Sequence, residues 1–129
     1  FLSVKLKYLD GENQRRREIA QFYTGNIKNP LIRLPFCPSS PEHDYSNVWH
    51  LFVIRTELRD RLQQYLTDKG IQTLIHYPVP PHRQKAYKEW NNLSFPVTEA
   101  IHREALSLPI SQVMTSGEVQ TVTEKLNSF

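Results

Sequence analysis

The chain has 129 residues, 39% of them apolar and 22% charged, which is enough for the core of one domain and too apolar for a disordered tail. The formal net charge is only +3 and the basic residues are scattered, which argues against a nucleic-acid-binding face. No apolar run approaches the length of a membrane span, and Cys37 as the lone cysteine excludes an internal disulfide and fits a reducing, cytoplasmic setting.

The chain opens without a methionine on Phe1-Leu2-Ser3-Val4-Lys5-Leu6, already apolar and periodic, and a fragment of a longer polypeptide is expected. Leu2, Leu6, Leu9, Ile19, Ala20 and Tyr23 fall at spacings compatible with one helical face. They predict one long helix, interrupted near Asp10-Gly11 and stopped by Thr24-Gly25. Gly11 weakens it by about 1 kcal/mol relative to alanine. Residues 10–17 are nearly all polar and are expected to face solvent. On a helix Arg15, Arg16 and Arg17 point about 100° apart and form no stripe.

Residues 29–35, bracketed by Pro30 and Pro35, predict a short edge strand, and residues 37–43 a loop. Val48-Trp49-His50-Leu51-Phe52-Val53-Ile54-Arg55 is the clearest strand, with His50 expected to be buried and hydrogen-bonded. Thr56 is placed to cap the next helix, whose buried face is Leu58, Leu62, Tyr65 and Leu66 and which stops at Lys69-Gly70. Residues 71–76 predict a second strand, which Pro78, Pro80 and Pro81 cannot continue. A short helix over 84–90, another from Pro96 to about Ala105, and a third strand over 106–109 follow. Thr115 and Glu118 form a capping box for a last helix with Val119, Val122, Thr123 and Leu126. The order predicts an α+β fold, a small antiparallel sheet of three to four strands covered by helices, as a single domain over residues 1–129.

The most unusual segment is His76-Tyr77-Pro78-Val79-Pro80-Pro81-His82-Arg83-Gln84-Lys85-Ala86-Tyr87. Two imidazoles and two phenols surround a proline-stiffened turn at a strand end, where binding groups are often placed. His76 and Tyr77 can donate to sugar hydroxyls or phosphate oxygens, and His82 could add a third contact. The competing reading makes His76 a satisfied structural residue and Tyr77 and Tyr87 core aromatics with a polar tip at the surface. His76 and His82 lack a zinc-ligand spacing, Cys37 has no evident activating partner, and the four glycines form no phosphate loop, so no metal ligand or catalytic residue is assigned.

The run His76-Tyr77-Pro78-x-Pro80-x-His82-x-Gln84-x-Ala86-Tyr87 is similar to a signature of the DegT/DnrJ/EryC1/StrS family of sugar aminotransferases. Lys5-Leu6-Lys7-x-Leu9 with Arg16-Arg17-x-Ile19-Ala20-x-x-Tyr23 resembles that family's helix leading into its small domain. Val48 to Arg55 with Arg59-Asp60-x-Leu62 resembles its next strand and helix. Phe95-Pro96-Val97-Thr98-Glu99, Leu106-Ser107-Leu108-Pro109 and Met114-Thr115-x-x-Glu118-Val119 resemble its tail.

The resemblance implies the C-terminal small domain of a fold-type I, pyridoxal-phosphate (PLP)-dependent enzyme, with residues 1–25 leading from a cofactor-binding domain outside this chain. It implies amino transfer from glutamate to a nucleotide-linked keto-sugar in a homodimer. The sugar is expected to be a dTDP-3-keto-6-deoxyhexose, or else a 4-keto or UDP-linked 3-keto sugar, on a route to surface polysaccharide or other glycans. His76, Tyr77 and His82 carry over as substrate contacts. Lys85 and Lys88 have polar, charged neighbours and do not read as a Schiff-base anchor, so no cofactor-binding residue is assigned. A stand-alone nucleotide-sugar-binding module is the alternative from another class.

Overall fold

The computed structural model describes residues 2–37 and 47–129. Helix α1 (Leu2–Leu6) leads into α2 (Leu9–Asn26), then β1 (Phe52–Arg55) and α3 (Arg59–Asp68). Two 3₁₀ segments (Pro81–Arg83 and Lys85–Trp90) precede α4 (Pro96–Glu104), β2 (Ala105–Leu108) and α5 (Ser116–Asn127). Residues 38–43 of the expected loop lie outside the described residues.

β1 and β2 pair antiparallel, with Phe52 opposite Leu108 and Arg55 opposite Ala105. Each is joined on its outer edge by one bridge, Arg33 to Arg55 and Leu74 to Ser107. The expected three-to-four-stranded sheet is therefore corrected to a two-strand ladder flanked by two bridging segments. The reason is a shortage of donors, because bonding positions along one strand edge recur every second residue. Two residues from Arg33, Pro35 has no N–H, and the Leu31 N–H is taken by Asn29 Oδ1 at 3.0 Å. On the other edge, Pro109 in β2's continuation has no N–H to offer Gln72.

Alternation along the ladder puts Phe52, Ile54, Leu106 and Leu108 on one face, and all four are buried. The Tyr23 ring of α2 meets Phe52 edge-on at 5.1 Å. Leu62 and Leu66 of α3 and Val119, Val122 and Leu126 of α5 complete the same core. The Tyr23 phenol donates to the Pro109 carbonyl at 2.9 Å, and burial pushes its pKa up.

Several local expectations are corrected. The N-terminal helix breaks at Lys7-Tyr8, and Gly11 lies inside α2, which runs to Asn26. The polar stretch before Ile19 is a solvated face only in part, with Asp10 and Gln14 exposed. Arg15 donates to the Met114 carbonyl (2.9 Å), Arg16 to the Ile110 carbonyl (3.3 Å) and Gln112 Oε1 (2.7 Å), and Arg17 is buried. Arg15 and Arg16 tie α2 to the loop before α5, a contact that no local pattern announces.

β1 starts at Phe52 rather than Val48, and Trp49, within the expected strand, adopts φ 51°, a left-handed conformation that a strand cannot contain. The Trp49 N–H is accepted by Asn47 Oδ1 at 2.8 Å and its buried ring packs 5.5 Å from Phe52. His50, left outside the strand, is exposed rather than buried. Thr56 does not cap α3, which begins at Arg59; its Oγ1 accepts the Leu58 N–H at 3.2 Å in the turn before the helix. The capping box of α5 forms as expected. Thr115 Oγ1 accepts the Glu118 N–H at 3.2 Å, and Glu118 accepts the Thr115 N–H at 2.8 Å, which holds its carboxyl below the usual range.

Candidate functional site

The chain leaves the sheet after Leu74 and enters the proline-rich segment at His76. Here the ladder's second face matters. Ser107, opposite Val53 and bridged to Leu74, is buried and turned away from the Phe52 face. Its Oγ lies 2.9 Å from Nδ1 of His76. The half-buried imidazole is thus pinned through one nitrogen, and its Nε2 has no hydrogen-bond partner among the described residues.

Tyr77 follows through a cis peptide bond. Its carbonyl accepts a hydrogen bond from Nδ1 of His102 on α4, while its side chain is 67% exposed. A core role for this ring is thereby removed. The two neighbouring rings meet edge-on at 5.6 Å. Together they present an imidazole and a phenol side by side at the rim, both able to donate to oxygen.

His82 is placed differently. It is only 3% exposed, with Nε2 donating to Glu99 Oε1 at 3.0 Å and its ring edge-on to Phe95 at 5.0 Å. Its carbonyl accepts from Asn91 Nδ2 at 2.7 Å. Its contacts are thus intramolecular, and the structure does not bring it to the rim with His76 and Tyr77. Beside it, Pro81, Trp90, Leu93, Phe95 and Thr98 line an open apolar cleft of about 390 Å³. Tyr87 and Trp90 stack at 4.7 Å on the same segment.

A larger groove of about 900 Å³ runs between residues 69–74 and the start of α5. Its lining is mainly apolar, and Thr115 and Glu118 within it are occupied by each other in the capping box. It offers no converging set of free polar groups.

Glu99 and Ser107, present in the sequence motifs only as parts of the tail, and His102 were given no role by sequence reasoning. Glu99 Oε1 also accepts the Phe95 N–H at 3.1 Å, and Arg83 lies 3.5 Å from it. The Phe95 N–H first, then the His82 ring and the Arg83 charge, hold the Glu99 carboxyl below its ordinary value of 4.5. A folded pKa below the unfolded one means that Glu99 stabilises the fold above its unfolded pKa, and that this contribution vanishes as pH falls through the folded value. We expect the wild-type chain to lose more stability than Glu99→Gln as the pH is lowered from about 5. Urea midpoints measured at each pH check this, and parallel losses in the two proteins would remove the carboxylate from the account.

The fold is that of the sugar aminotransferases. It superposes on Streptomyces venezuelae DesV, solved in complex with a ketimine intermediate, with a TM-score of 0.89 at 37% identity, covering 98% of this chain and 34% of that one. Residues 1–127 match the DegT/DnrJ/EryC1/StrS aminotransferase family, and the chain belongs to that family.

Among its relatives is the dTDP-3-amino-3,6-dideoxy-α-D-galactopyranose transaminase of Aneurinibacillus thermoaerophilus, 56% identical over 129 residues, all of this chain and 34% of that protein. The dTDP-3-amino-3,4,6-trideoxy-α-D-glucose transaminase of Streptomyces venezuelae is 43% identical over 131 residues, 99% of this chain and 34% of that protein. The chain thus spans about a third of the length of the curated relatives it matches.

The residues present do not fit the anchoring of PLP. A Schiff-base lysine must be held out of water with a lowered affinity for its proton. Lys5, Lys7, Lys28, Lys69, Lys85 and Lys88 are exposed and Lys125 is half-buried, and none lies on the His76–Tyr77 rim. No helix among the described residues is long and apolar enough to cross a membrane.

Proposed function

We propose that this chain is the C-terminal small domain of a PLP-dependent nucleotide-sugar aminotransferase, and that its part is to recognise the sugar. The supporting observation is the rim. His76 is fixed through Nδ1 by a buried core serine, and Tyr77 is fixed through its carbonyl, so that one ring nitrogen and one phenol remain available to a ligand. Groups held this way lose little freedom when they bind. His82 belongs to the same assembly as the buried foot of the loop, a less direct role in substrate binding than that of the other two.

In the whole enzyme the sugar's keto carbon would become a carbon bearing an amino group, while glutamate becomes 2-oxoglutarate. PLP supplies the carrier for that amino group and is held by residues outside this chain. The substrate we favour is a dTDP-3-keto-6-deoxyhexose, because the relative at 56% identity is named for a dTDP-3-amino-3,6-dideoxy sugar. A homodimeric, cytoplasmic enzyme is the setting that goes with this reading.

The experiment is an assay of the full-length gene product in reverse, with dTDP-3-amino-3,6-dideoxy-α-D-galactopyranose as amino donor and 2-oxoglutarate as acceptor. We expect glutamate to accumulate. Preference for a 4-amino or a UDP-linked 3-amino sugar would replace the dTDP-3-keto assignment. Turnover of no nucleotide sugar would overturn the function. Mixed with PLP by itself, the 129-residue chain should develop no internal-aldimine absorbance, and such a band would contradict the division of labour.

A further inference from the structure

The loop that carries His76 and Tyr77 does not stand on its own prolines. It is held at three points by one continuous stretch of chain. His76 meets Ser107, Tyr77 meets His102, and His82 meets Glu99. As the loop number rises, the partner number falls. The loop therefore runs antiparallel along α4 and the strand that follows it, in a side-chain register that replaces the ladder lost beyond Leu74.

The two halves of that stretch are built differently. β2 is buried along its whole length and cannot move without disturbing the core. α4 runs straight into it and has no buried residue of its own. Glu99 and His102 stand three residues apart on α4, so they share one helical face, and that face meets the loop.

The chemistry of each contact is directional. A carbonyl oxygen only accepts, so Nδ1 of His102 must carry the proton it gives to Tyr77. A carboxylate only accepts, so Glu99 gathers the His82 ring and the Phe95 N–H onto one oxygen. Neither interaction uses the Tyr77 phenol or Nε2 of His76.

We propose that α4 is a template for the sugar-recognising loop, with Glu99 and His102 as positioning residues that set how the nucleotide sugar is held. This rests on the reading of His76 and Tyr77 as sugar contacts. The prolines limit the loop's internal freedom, but they do not aim it. Aim comes from the α4 contacts at His102 and at Glu99, which Arg83 shares with His82 at 3.5 Å, and from the one with β2. Loss of either α4 contact should displace the rim relative to the core while leaving the core intact, since both residues lie outside it.

The test uses the full-length gene product carrying His102→Ala, His102→Asn or Glu99→Ala. The dissociation constant for dTDP-3-amino-3,6-dideoxy-α-D-galactopyranose is measured by calorimetry, and the glutamate-driven change in cofactor absorbance is followed separately. We expect His102→Ala and Glu99→Ala to weaken sugar-nucleotide binding about tenfold or more, with His102→Asn, whose amide can still donate to the Tyr77 carbonyl, returning to within about threefold of wild type. The glutamate half of the reaction should be unchanged in all three.

If both alanine variants bind the sugar nucleotide as wild type does while His76→Ala binds it weakly, the template is wrong and the site reading stands. If His76→Ala also binds normally, the site reading fails with it. Equal losses in the sugar and glutamate halves, with no recovery in His102→Asn, would make both residues general stabilisers and overturn the proposal.

Discussion

Phe52→Ala is expected to destabilise the domain by about 3–5 kcal/mol, the range for deleting a buried phenylalanine. Phe52 is completely buried at the start of β1, between Tyr23 at 5.1 Å and Trp49 at 5.5 Å, with Leu108 opposite it in the ladder. Truncation loses the transfer energy of the ring and leaves a space that these neighbours cannot close. Trp49 is held in its left-handed conformation by Asn47, and Tyr23 by its bond to Pro109. Domains are stable by only about 5–15 kcal/mol, so this single change should take a large part of the total. Urea unfolding followed by tryptophan fluorescence measures it. Val113→Ala, at a position 79% exposed, is the control and should shift stability by less than about 0.5 kcal/mol. Equal effects at the two positions would show that the core has been drawn in the wrong place.

His76→Ala in the full-length gene product is expected to reduce kcat/KM for the nucleotide sugar by about tenfold to a hundredfold, the scale of a misplaced reacting group. The imidazole is the one rim group that connects directly to the buried sheet, through Ser107 at 2.9 Å. On the proposed division of roles, with the cofactor held by residues outside this chain, cofactor absorbance should be unaffected. His76→Asn refines the result. Its side-chain amide can keep the bond to Ser107 while removing the ring nitrogen offered to the ligand. If the asparagine variant is as impaired as the alanine one, His76 acts through contact with the sugar. If it is restored, His76 acts by shaping the loop. Sugar kinetics identical to wild type in both variants would remove His76 from the site.

Much of the secondary structure was legible locally. The Thr115–Glu118 box of the last helix and the stop after residue 68 are short-range signals written within one or two turns of chain, and they appear where expected. The strands were harder. Residues 29–35 and 71–76 have the composition of strands, but each contributes a single bridge. The segment 29–35 is cut short by its own Pro35 and the diverted Leu31 N–H, whereas for 71–76 the missing donor is in the partner, at Pro109, and cannot be seen from the strand itself. The polar run that includes Arg15 and Arg16 misled for a similar reason. Polarity predicted solvent, while the carbonyls that satisfy these guanidiniums come from residues nearly a hundred positions away.

For the candidate site, the sequence by itself determined which residue types lie together, because His76, Tyr77 and His82 sit in one proline-stiffened segment whose pattern resembles a known family. Neighbours in sequence are held close by covalent geometry, so such a motif survives without any knowledge of the fold. What each ring does was decided only by the tertiary structure. It turned Tyr77 outward, buried His82 against Glu99, and pinned His76 to Ser107. Those roles come from partners 17 to 31 residues further along the chain, brought into reach when α4 and β2 fold back along the loop. Local pattern specifies the chemistry a segment can offer, and packing against distant chain specifies which of its atoms remain free to use it.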